Sequence, residues 1–292
     1  MVIAELQGGL GNQMFQYACA KAYSLKHRRS LYIDTSFLDN NQLEKDGFTP
    51  RRYELGVFGL KEPFIGEQLT RPFRQSSIFK KIKKNSGLRF RKIYVQDQNK
   101  GAEQLNEVTP PVLLSGYWQS EQYFIKYEKE IRQIFRFQGV PEIGGLLKEI
   151  ESVNAVSVHF RRGDYITNPV AGRVLGVLTK DYYEQTIERI ASEVNDPVFY
   201  LFSDDVEWVK NNFKIDYKHH IVEATATNKN WHDMLMMSKC KHHIIANSSF
   251  SWWGAWLNPD PNKIVIAPAQ WFADTALNKT SVNITPAEWI RL

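Results

Sequence analysis

Short apolar runs alternate with amphipathic stretches along the chain, and this alternation predicts strands that alternate with helices. Residues 1–6 have the pattern of a short buried strand, and a glycine-rich turn at 7–11 leads into an amphipathic helical pattern. A second apolar run at 31–33 predicts another strand, so the N-terminal segment predicts a βαβ unit. Between about residues 40 and 110 the pattern is irregular and predicts no clear element.

The second half repeats the alternation more regularly. Strands are predicted at 153–160, 198–202, 220–222, 243–246 and 263–267. Helices are predicted at 181–194, 206–213, 231–240 and 251–257. The capping box Thr285-Pro286-Ala287-Glu288, with proline in the first helical position, predicts one more short helix.

Strands that alternate with helices predict a parallel, doubly wound sheet. Two such units in series predict an α/β protein of two Rossmann-like domains that face a cleft. We expect the first domain at 1–150 and the second at 151–292, with the boundary after the Gly144-Gly145 break. The helix that the capping box begins is expected to be close enough to the N-terminal domain to pack against it.

The composition excludes several classes of protein. No apolar run approaches the roughly 18 residues that a membrane span needs, and the first residues lack the basic start and long apolar core of a signal peptide. The cysteines Cys19 and Cys240 form neither a disulfide framework nor a metal-binding pattern. We therefore expect a cytoplasmic protein without a structural metal.

Positive charge is concentrated in one segment of a chain whose formal net charge is +5. Residues 71–92 contain nine lysines and arginines, no acidic residue, and interleaved phenylalanines and isoleucines. This pattern suits peripheral contact with an anionic membrane, and a solvated basic loop is the alternative. Nucleic acid is not the expected partner, because the basic character does not extend to the rest of the chain.

Ligands of open α/β sheets bind at the carboxyl ends of the strands, and four polar clusters are predicted there. The first is the loop Gly8-Gly9-Leu10-Gly11-Asn12-Gln13. Its glycines allow a ligand to approach the backbone closely, and the following helix N-terminus favours an anion. It does not match the dinucleotide fingerprint, because Met14 occupies the place of the third glycine, and a plain tight turn is the alternative.

The second cluster is His159-Phe160-Arg161-Arg162-Gly163-Asp164-Tyr165, directly after a predicted buried strand. Two adjacent arginines at a strand end cannot both lie in a core, and the planar guanidinium suits bidentate phosphate binding. One of the two is expected to form a salt bridge with Asp164, so a purely structural role is the alternative.

The third and fourth clusters also end predicted strands. Asp204 can accept hydrogen bonds from guanine or ribose, whereas Asp205 is expected to cap the following helix. In the run from Asn247 to Trp256, hydroxyls and backbone N–H groups at a helix start predict a phosphate cradle. The tryptophans of this run are expected in the core.

Three of these runs, at residues 8–18, 159–165 and 248–256, closely resemble the family 11 glycosyltransferases, which are mainly α-1,2-fucosyltransferases that use GDP-fucose. The motifs follow the family order over nearly the whole chain. The resemblance implies a GT-B architecture with the acceptor on the side of the N-terminal domain and the GDP-fucose donor in the C-terminal domain. It also implies an inverting reaction that needs neither metal nor cofactor, in the synthesis of surface polysaccharide or lipopolysaccharide.

The resemblance also implies residue roles, with the glycan acceptor expected to end in galactose. The implied catalytic group comprises Asn12, Arg161 and Asp164, with Arg161 on the β-phosphate and Asn12 facing the fucose. The implied substrate-binding residues are Gly9, Gly11, His159, Arg162, Asp204, Ser248, Ser249 and Phe250, with His159 and Asp204 near guanine. The base is not identified, because Asn168-Pro169 stands where related core-fucosylating enzymes carry a glutamate.

Three alternatives stay open at this point. They are a transferase that uses another sugar nucleotide such as a UDP-hexose, a non-catalytic sugar-binding protein, and an NAD-dependent oxidoreductase. The last is disfavoured by the broken fingerprint, and a sugar-binding module would not need two arginines beside a phosphate cradle.

Overall fold

The computed structural model of the chain describes residues 1–39, 49–66, 69–70, 92–138, 143–223 and 230–292. They form two compact units, Met1–Arg136 and Phe137–Leu292. Each unit contains one β-sheet, and every strand pairing in the described ranges is parallel, as is the isolated bridge between Ile33 and Phe64. The predicted α/β class is therefore confirmed.

The first unit is built on a four-stranded sheet. Its strands are β1 (Val2–Glu5), β2 (Leu31–Asp34), β3 (Lys92–Val95) and β4 (Val112–Ser115). Among its described residues, the bounded α-helices are α1 (Leu10–His27) and α2 (Glu128–Ile134). Short 3₁₀ helices lie at Leu55–Phe58, Ala102–Glu107, Glu121–Tyr123 and Ile125–Tyr127.

The strand order of this sheet is β2-β1-β4-β3. Strand β1 pairs with β2 in parallel from Val2 opposite Leu31, and α1 connects them, so the predicted βαβ unit is confirmed. All four residues of β1 are buried, as expected for a central strand of a parallel sheet. The loops that follow β1 and β4 consequently meet at one edge.

The second unit is built on a six-stranded sheet. Its strands are β5 (Asn154–Phe160), β6 (Pro197–Ser203), β7 (His219–Ile221), β8 (His242–Ile244), β9 (Val265–Ala267) and β10 (Ile290–Arg291). Its helices are α3 (Gly144–Ser152), α4 (Gly163–Thr167), α5 (Pro169–Leu175), α6 (Lys180–Glu193), α7 (Val206–Asn212), α8 (Asn230–Lys239), α9 (Ser249–Leu257) and α10 (Thr275–Thr280). The order is β10-β9-β8-β5-β6-β7.

Both faces of this sheet are covered, which explains why the inner residues of β6 form a continuous apolar run. On one face Val156 and Val158 pack with Ile187 of α6. On the other face Ala155 packs with Met236 of α8 and Ile150 of α3. The predicted strands and helices of this half agree with these elements to within one or two residues at most ends.

The expected boundary near residue 150 differs from the division after Arg136. Helix α3, which was not predicted and whose residues lie mostly in the range expected for the first domain, belongs to the second unit. Its Ile150 is fully buried in the cluster beneath the second sheet. The apolar face of this helix therefore decides the division, and the Gly144-Gly145 pair begins the helix without breaking the chain between domains.

The helix predicted at 285–288 is not formed. The chain makes one turn, in which the Trp289 N–H donates to the Pro286 carbonyl at 3.2 Å, and then enters β10. Ile290 pairs with Ile266 of β9, so the sheet takes the residues that would have extended the helix. Trp289 packs against Trp252, and this end of the chain belongs to the second unit.

The basic segment at 71–92 lies outside the described residues, except that the backbone of Lys92 begins β3. Its predicted membrane contact therefore stays a prediction. Within the described ranges, no helix combines the length and apolar character needed to cross a bilayer.

Candidate active site

Arg161 follows β5 and is held between two carboxylates. One terminal nitrogen lies 2.5 Å from Oδ1 of Asp164, and the other lies 2.8 Å from Oδ2 of Asp204. Burial opposes the guanidinium charge, but Asp204 and Asp164 outweigh it and raise the pKa of Arg161. The side chain is 21% exposed, so the site presents a fixed positive charge that ligands can reach.

Asp204 binds the segment that follows β5 through both of its carboxylate oxygens. While Oδ2 pairs with Arg161, Oδ1 accepts the backbone N–H of Arg162 at 2.9 Å. The contact requires glycine at position 163, because a Cβ there would lie 2.5 Å from Asp204 Oδ2. Strands β5 and β6 are adjacent and end together, with Phe160 opposite Ser203, so the two polar clusters meet at this edge.

Arg162 has a different environment from Arg161. Its Nε lies 3.1 Å from Oδ2 of Asp205, and its guanidinium lies 3.6 Å from the centre of the Trp208 ring. Asp205 caps α7 by accepting the Trp208 N–H, as predicted. The salt bridge expected between Asp164 and one arginine therefore involves Arg161, and Arg162 is fixed by helix α7.

His159 is a neutral, buried group beside this charge. Burial lowers its pKa to about 4, Asp204 opposes that shift and Arg161 adds to it. Its Nδ1 is buried and has no hydrogen-bond partner within the described residues. Buried polar atoms are rarely left unpaired, so this nitrogen marks a place where a ligand can bind. The Phe250 ring lies 5.9 Å from the imidazole.

The loop before α9 brings the fourth polar cluster to the same edge. Ser248 caps the helix by accepting the Phe250 N–H, and Ser249 is the first helical residue. The Tyr165 hydroxyl donates to the Asn247 carbonyl at 2.9 Å, and the Tyr165 ring lies 5.3 Å from the Arg161 guanidinium. Tyr165 thus joins the arginine to the serine loop. The tryptophans of α9 are buried, as predicted.

Asp233 was not predicted as a site residue. It lies in the first turn of α8, and burial raises its pKa to about 7. No hydrogen bond or ion pair joins its carboxylate to another described residue. Met236 and Met237, three and four residues later on the same helix face, pack with Phe250. Asp233 is therefore on the side of α8 that faces the Phe250 and His159 rings. The one feature of the sequence that could have indicated it is the position of an acidic residue on the apolar face of a predicted helix.

The predicted residues of the first unit form a separate group. The Leu10 N–H at the start of α1 donates to Oε2 of Glu54 at 3.1 Å, so a carboxylate of the chain itself occupies the expected anion position. Burial raises the pKa of Glu54. Asn12 accepts a hydrogen bond from Gln119 at 2.7 Å; it lies with Gly11 in the first turn of α1, and Gly9 is the residue before that helix.

Glycosyl transferase family 11 matches residues 1–292. The chain belongs to this family.

Similar proteins agree with membership of family 11. The chain is 35% identical to the alpha-1,2-colitosyltransferase of Escherichia coli over 304 residues, covering 100% of this chain and 99% of the relative. It is 36% identical to the O-antigen biosynthesis glycosyltransferase WbnK of Escherichia coli over 316 residues, covering 98% and 99%. The crystal structure of the fucosyltransferase NodZ from Bradyrhizobium superposes with a TM-score of 0.50 at 15% identity, covering 88% of this chain and 92% of that one.

As a family 11 glycosyltransferase, the protein is an enzyme, and the expected GT-B-type α/β fold is confirmed by the fold likeness and the two parallel sheets. The structure gathers His159, Arg161, Arg162, Asp204, Ser248 and Phe250 at one edge of the second sheet of this glycosyltransferase. Asn12, Gly9 and Gly11 lie at the corresponding edge of the first sheet. Their individual roles stay predictions.

Proposed function

We propose that this family 11 enzyme transfers L-fucose from GDP-fucose to a hydroxyl of a galactose-terminated glycan, with inversion and an α-1,2 linkage. The observation that carries the proposal is the clamp of Asp164, Arg161 and Asp204 at the end of β5. A charged, half-buried guanidinium suits a diphosphate leaving group, and the neutral His159 beside it suits an uncharged base or sugar.

In the proposed reaction, the acceptor oxygen forms a bond to the anomeric carbon as the bond from that carbon to the β-phosphate oxygen breaks. The bonding pair leaves with GDP, and the proton of the acceptor hydroxyl passes to a base or to water. Arg161 opposes the charge that grows on the leaving phosphate, and this interaction is strongest in the transition state. The backbone N–H of Ser249, at the start of α9, adds to it.

Donor recognition is proposed to use His159 and Asp233. Guanine presents an N1–H and an amino group side by side, and a carboxylate can accept from both. Asp204 is already engaged by Arg161 and by the Arg162 N–H, whereas Asp233 has no partner among the described residues. We therefore assign the guanine edge to Asp233 in preference to the predicted Asp204.

Asp233→Asn is expected to weaken GDP binding about 10- to 100-fold. The NH₂ group of asparagine would face one of the two guanine N–H donors, and the hydrogen bonds to a charged carboxylate would be lost. Wild-type affinity should fall as pH drops below about 7, where the carboxyl is protonated before ligand binds. Calorimetry with GDP and ADP at pH 6 and 8 measures both effects. The exposed Asp181→Asn serves as the matched control, and a GDP-over-ADP preference unchanged in Asp233→Asn contradicts the assignment.

Catalysis is proposed to need no metal ion, because Arg161 and backbone N–H groups are arranged to neutralise the diphosphate directly. Turnover should survive excess EDTA with less than a twofold change. An assay of the EDTA-treated enzyme with and without added Mg²⁺ or Mn²⁺ checks this. Complete loss that either ion restores is the contrary result.

GDP-colitose is the second candidate donor, since a relative that covers the whole chain is named a colitosyltransferase. Colitose is L-fucose without the 3-hydroxyl, so discrimination depends on whether the site binds that hydroxyl. Purified protein incubated with GDP-fucose, GDP-colitose and UDP-hexoses on galactose-terminated acceptors decides between them. Fucosylated product with an α-1,2 linkage by NMR supports the proposal, and exclusive use of another donor overturns it.

We further propose work at the cytoplasmic face of a membrane, through the basic segment at 71–92. Co-sedimentation with anionic liposomes should fall as salt rises, because surface attraction is screened. Replacing Lys80, Lys81, Lys83 and Lys84 by glutamine should abolish it. Replacing the exposed Lys126, Lys129, Lys214 and Lys218 by glutamine removes the same amount of charge and serves as the control. Equal liposome binding by the two variants would contradict membrane attachment through residues 71–92.

A further inference from the structure

Two side-chain amides meet at the carboxyl edge of the first sheet. Gln119 Nε2 donates to Asn12 Oδ1 at 2.7 Å, across 107 positions of sequence. This bond leaves Asn12 Nδ2 as a donor and Gln119 Oε1 as an acceptor, neither with a hydrogen-bond partner in the described ranges. Both side chains are partly exposed. A free donor thus lies beside a free acceptor on an accessible surface.

Asn12 is held in place by the backbone of the glycine loop. Gly8 adopts a φ of +74°, and a Cβ at this position would lie 2.6 Å from Asn12 Nδ2. Glycine is required both by the left-handed backbone and by this close approach. The amide of Asn12 is therefore confined between Gly8 and Gln119.

Gln119 is presented by an anchored and strained loop. Gly116 has a φ of +147° and Trp118 a φ of +54°, which is uncommon for a large side chain. The Trp118 ring is buried, and the backbone N–H of this residue donates to Gln96 Oε1 at 2.8 Å. Strain of this kind persists only where the surroundings enforce it and is often found at binding sites.

The chemistry of this surface suits a neutral, hydroxyl-rich ligand. Each sugar hydroxyl both donates and accepts, so adjacent hydroxyls match an adjacent acceptor and donor. Tyr117, in the same loop, is partly exposed, and its hydroxyl forms no hydrogen bond with another described residue. A phenol combines an apolar ring face with a polar tip, and this combination suits a pyranose ring. The amides carry no charge, so a phosphate is a poorer match.

We propose that Asn12, Tyr117 and Gln119 form the binding site for the acceptor glycan. The assignment rests on the proposed function for the identity of the ligand, a galactose-terminated oligosaccharide. It adds Tyr117 and Gln119 to the residues expected from the sequence, and it makes Gln119 the residue that orients Asn12. Gln119 is thus a positioning and binding residue, separate from the groups that contact the leaving phosphate.

The first test is direct binding without donor. Saturation-transfer NMR of the full chain with a panel of galactose-terminated oligosaccharides should show binding for the wild type and for Gln122→Ala, an exposed glutamine three residues away. Gln119→Ala and Tyr117→Phe should lose at least about tenfold in affinity, the loss expected for one or two hydrogen bonds. Thermal unfolding of each variant verifies that the fold is intact.

The second test separates acceptor from donor. Gln119→Ala should raise the acceptor KM about tenfold while leaving GDP affinity within twofold of the wild type. Equal glycan binding by Gln119→Ala and Gln122→Ala overturns the inference, and so does a wild type that binds no glycan of the panel. Glycan binding that depends on Gln119, without any transfer from GDP-fucose, supports this site and overturns the proposed function.

Discussion

Arg161→Ala is expected to lower kcat by about 10²–10³, the usual effect of removing a group that stabilises transition-state charge. The guanidinium is held by Asp164 at 2.5 Å and Asp204 at 2.8 Å, so it is oriented before the substrate binds. Arg161→Lys should recover only part of the rate. A single ammonium cannot bridge two carboxylates and a phosphate in the way that the planar guanidinium does.

The measurement is steady-state transfer together with thermal unfolding, because Arg161→Ala leaves two neighbouring carboxylates without their counter-charge. Arg189→Ala removes an exposed arginine that pairs with Glu193 on α6 and serves as the control. It should be close to wild type in both assays, since exposed ion pairs contribute little. A folded Arg161→Ala variant with wild-type kcat would exclude Arg161 from the leaving-group role.

Asp164→Asn is expected to reduce transfer at least tenfold more than it reduces donor hydrolysis or GDP binding, if Asp164 is the base that takes the acceptor proton. The deficit should shrink at higher pH, where hydroxide increasingly replaces the missing base. Asp204→Asn provides the comparison, because Asp204 contacts the same arginine from the other side and also fixes the Arg162 N–H. It should lose GDP affinity and transfer in parallel.

Transfer, hydrolysis and calorimetric GDP binding, each between pH 6 and 9, distinguish the roles of the two aspartates. A parallel loss of GDP affinity and transfer in Asp164→Asn would make it, like Asp204, a residue that orients Arg161. The acceptor proton would then pass to water or to another carboxylate.

The sequence by itself determined the α/β class, nine of the fourteen elements described in the second unit, and the polar clusters at the strand ends. Periodicity suffices for this, since a strand buried on both faces and a helix with one apolar face have distinct local patterns. It also determined that Asp205 caps α7 and that the tryptophans of α9 are core residues. Each of these depends on neighbours within a few positions.

Only the tertiary structure decided which polar side chains contact each other. The pairing of Arg161 with Asp204 depends on the register of β5 against β6, and that of Asn12 with Gln119 depends on β1 lying beside β4. The missed Asp233 follows the same rule, because its surroundings come from the packing of α8 on α9.

The differences from the predicted elements also come from long-range packing. Helix α3 joins the second unit because Ile150 is buried there, and the predicted last helix yields to β10 because Ile290 completes the sheet beside Ile266. A local capping signal contributes about 1 kcal/mol, whereas pairing an edge strand and burying Trp289 against Trp252 satisfy more backbone groups and remove more apolar surface from water. Local signals specify the elements, and long-range burial selects among them.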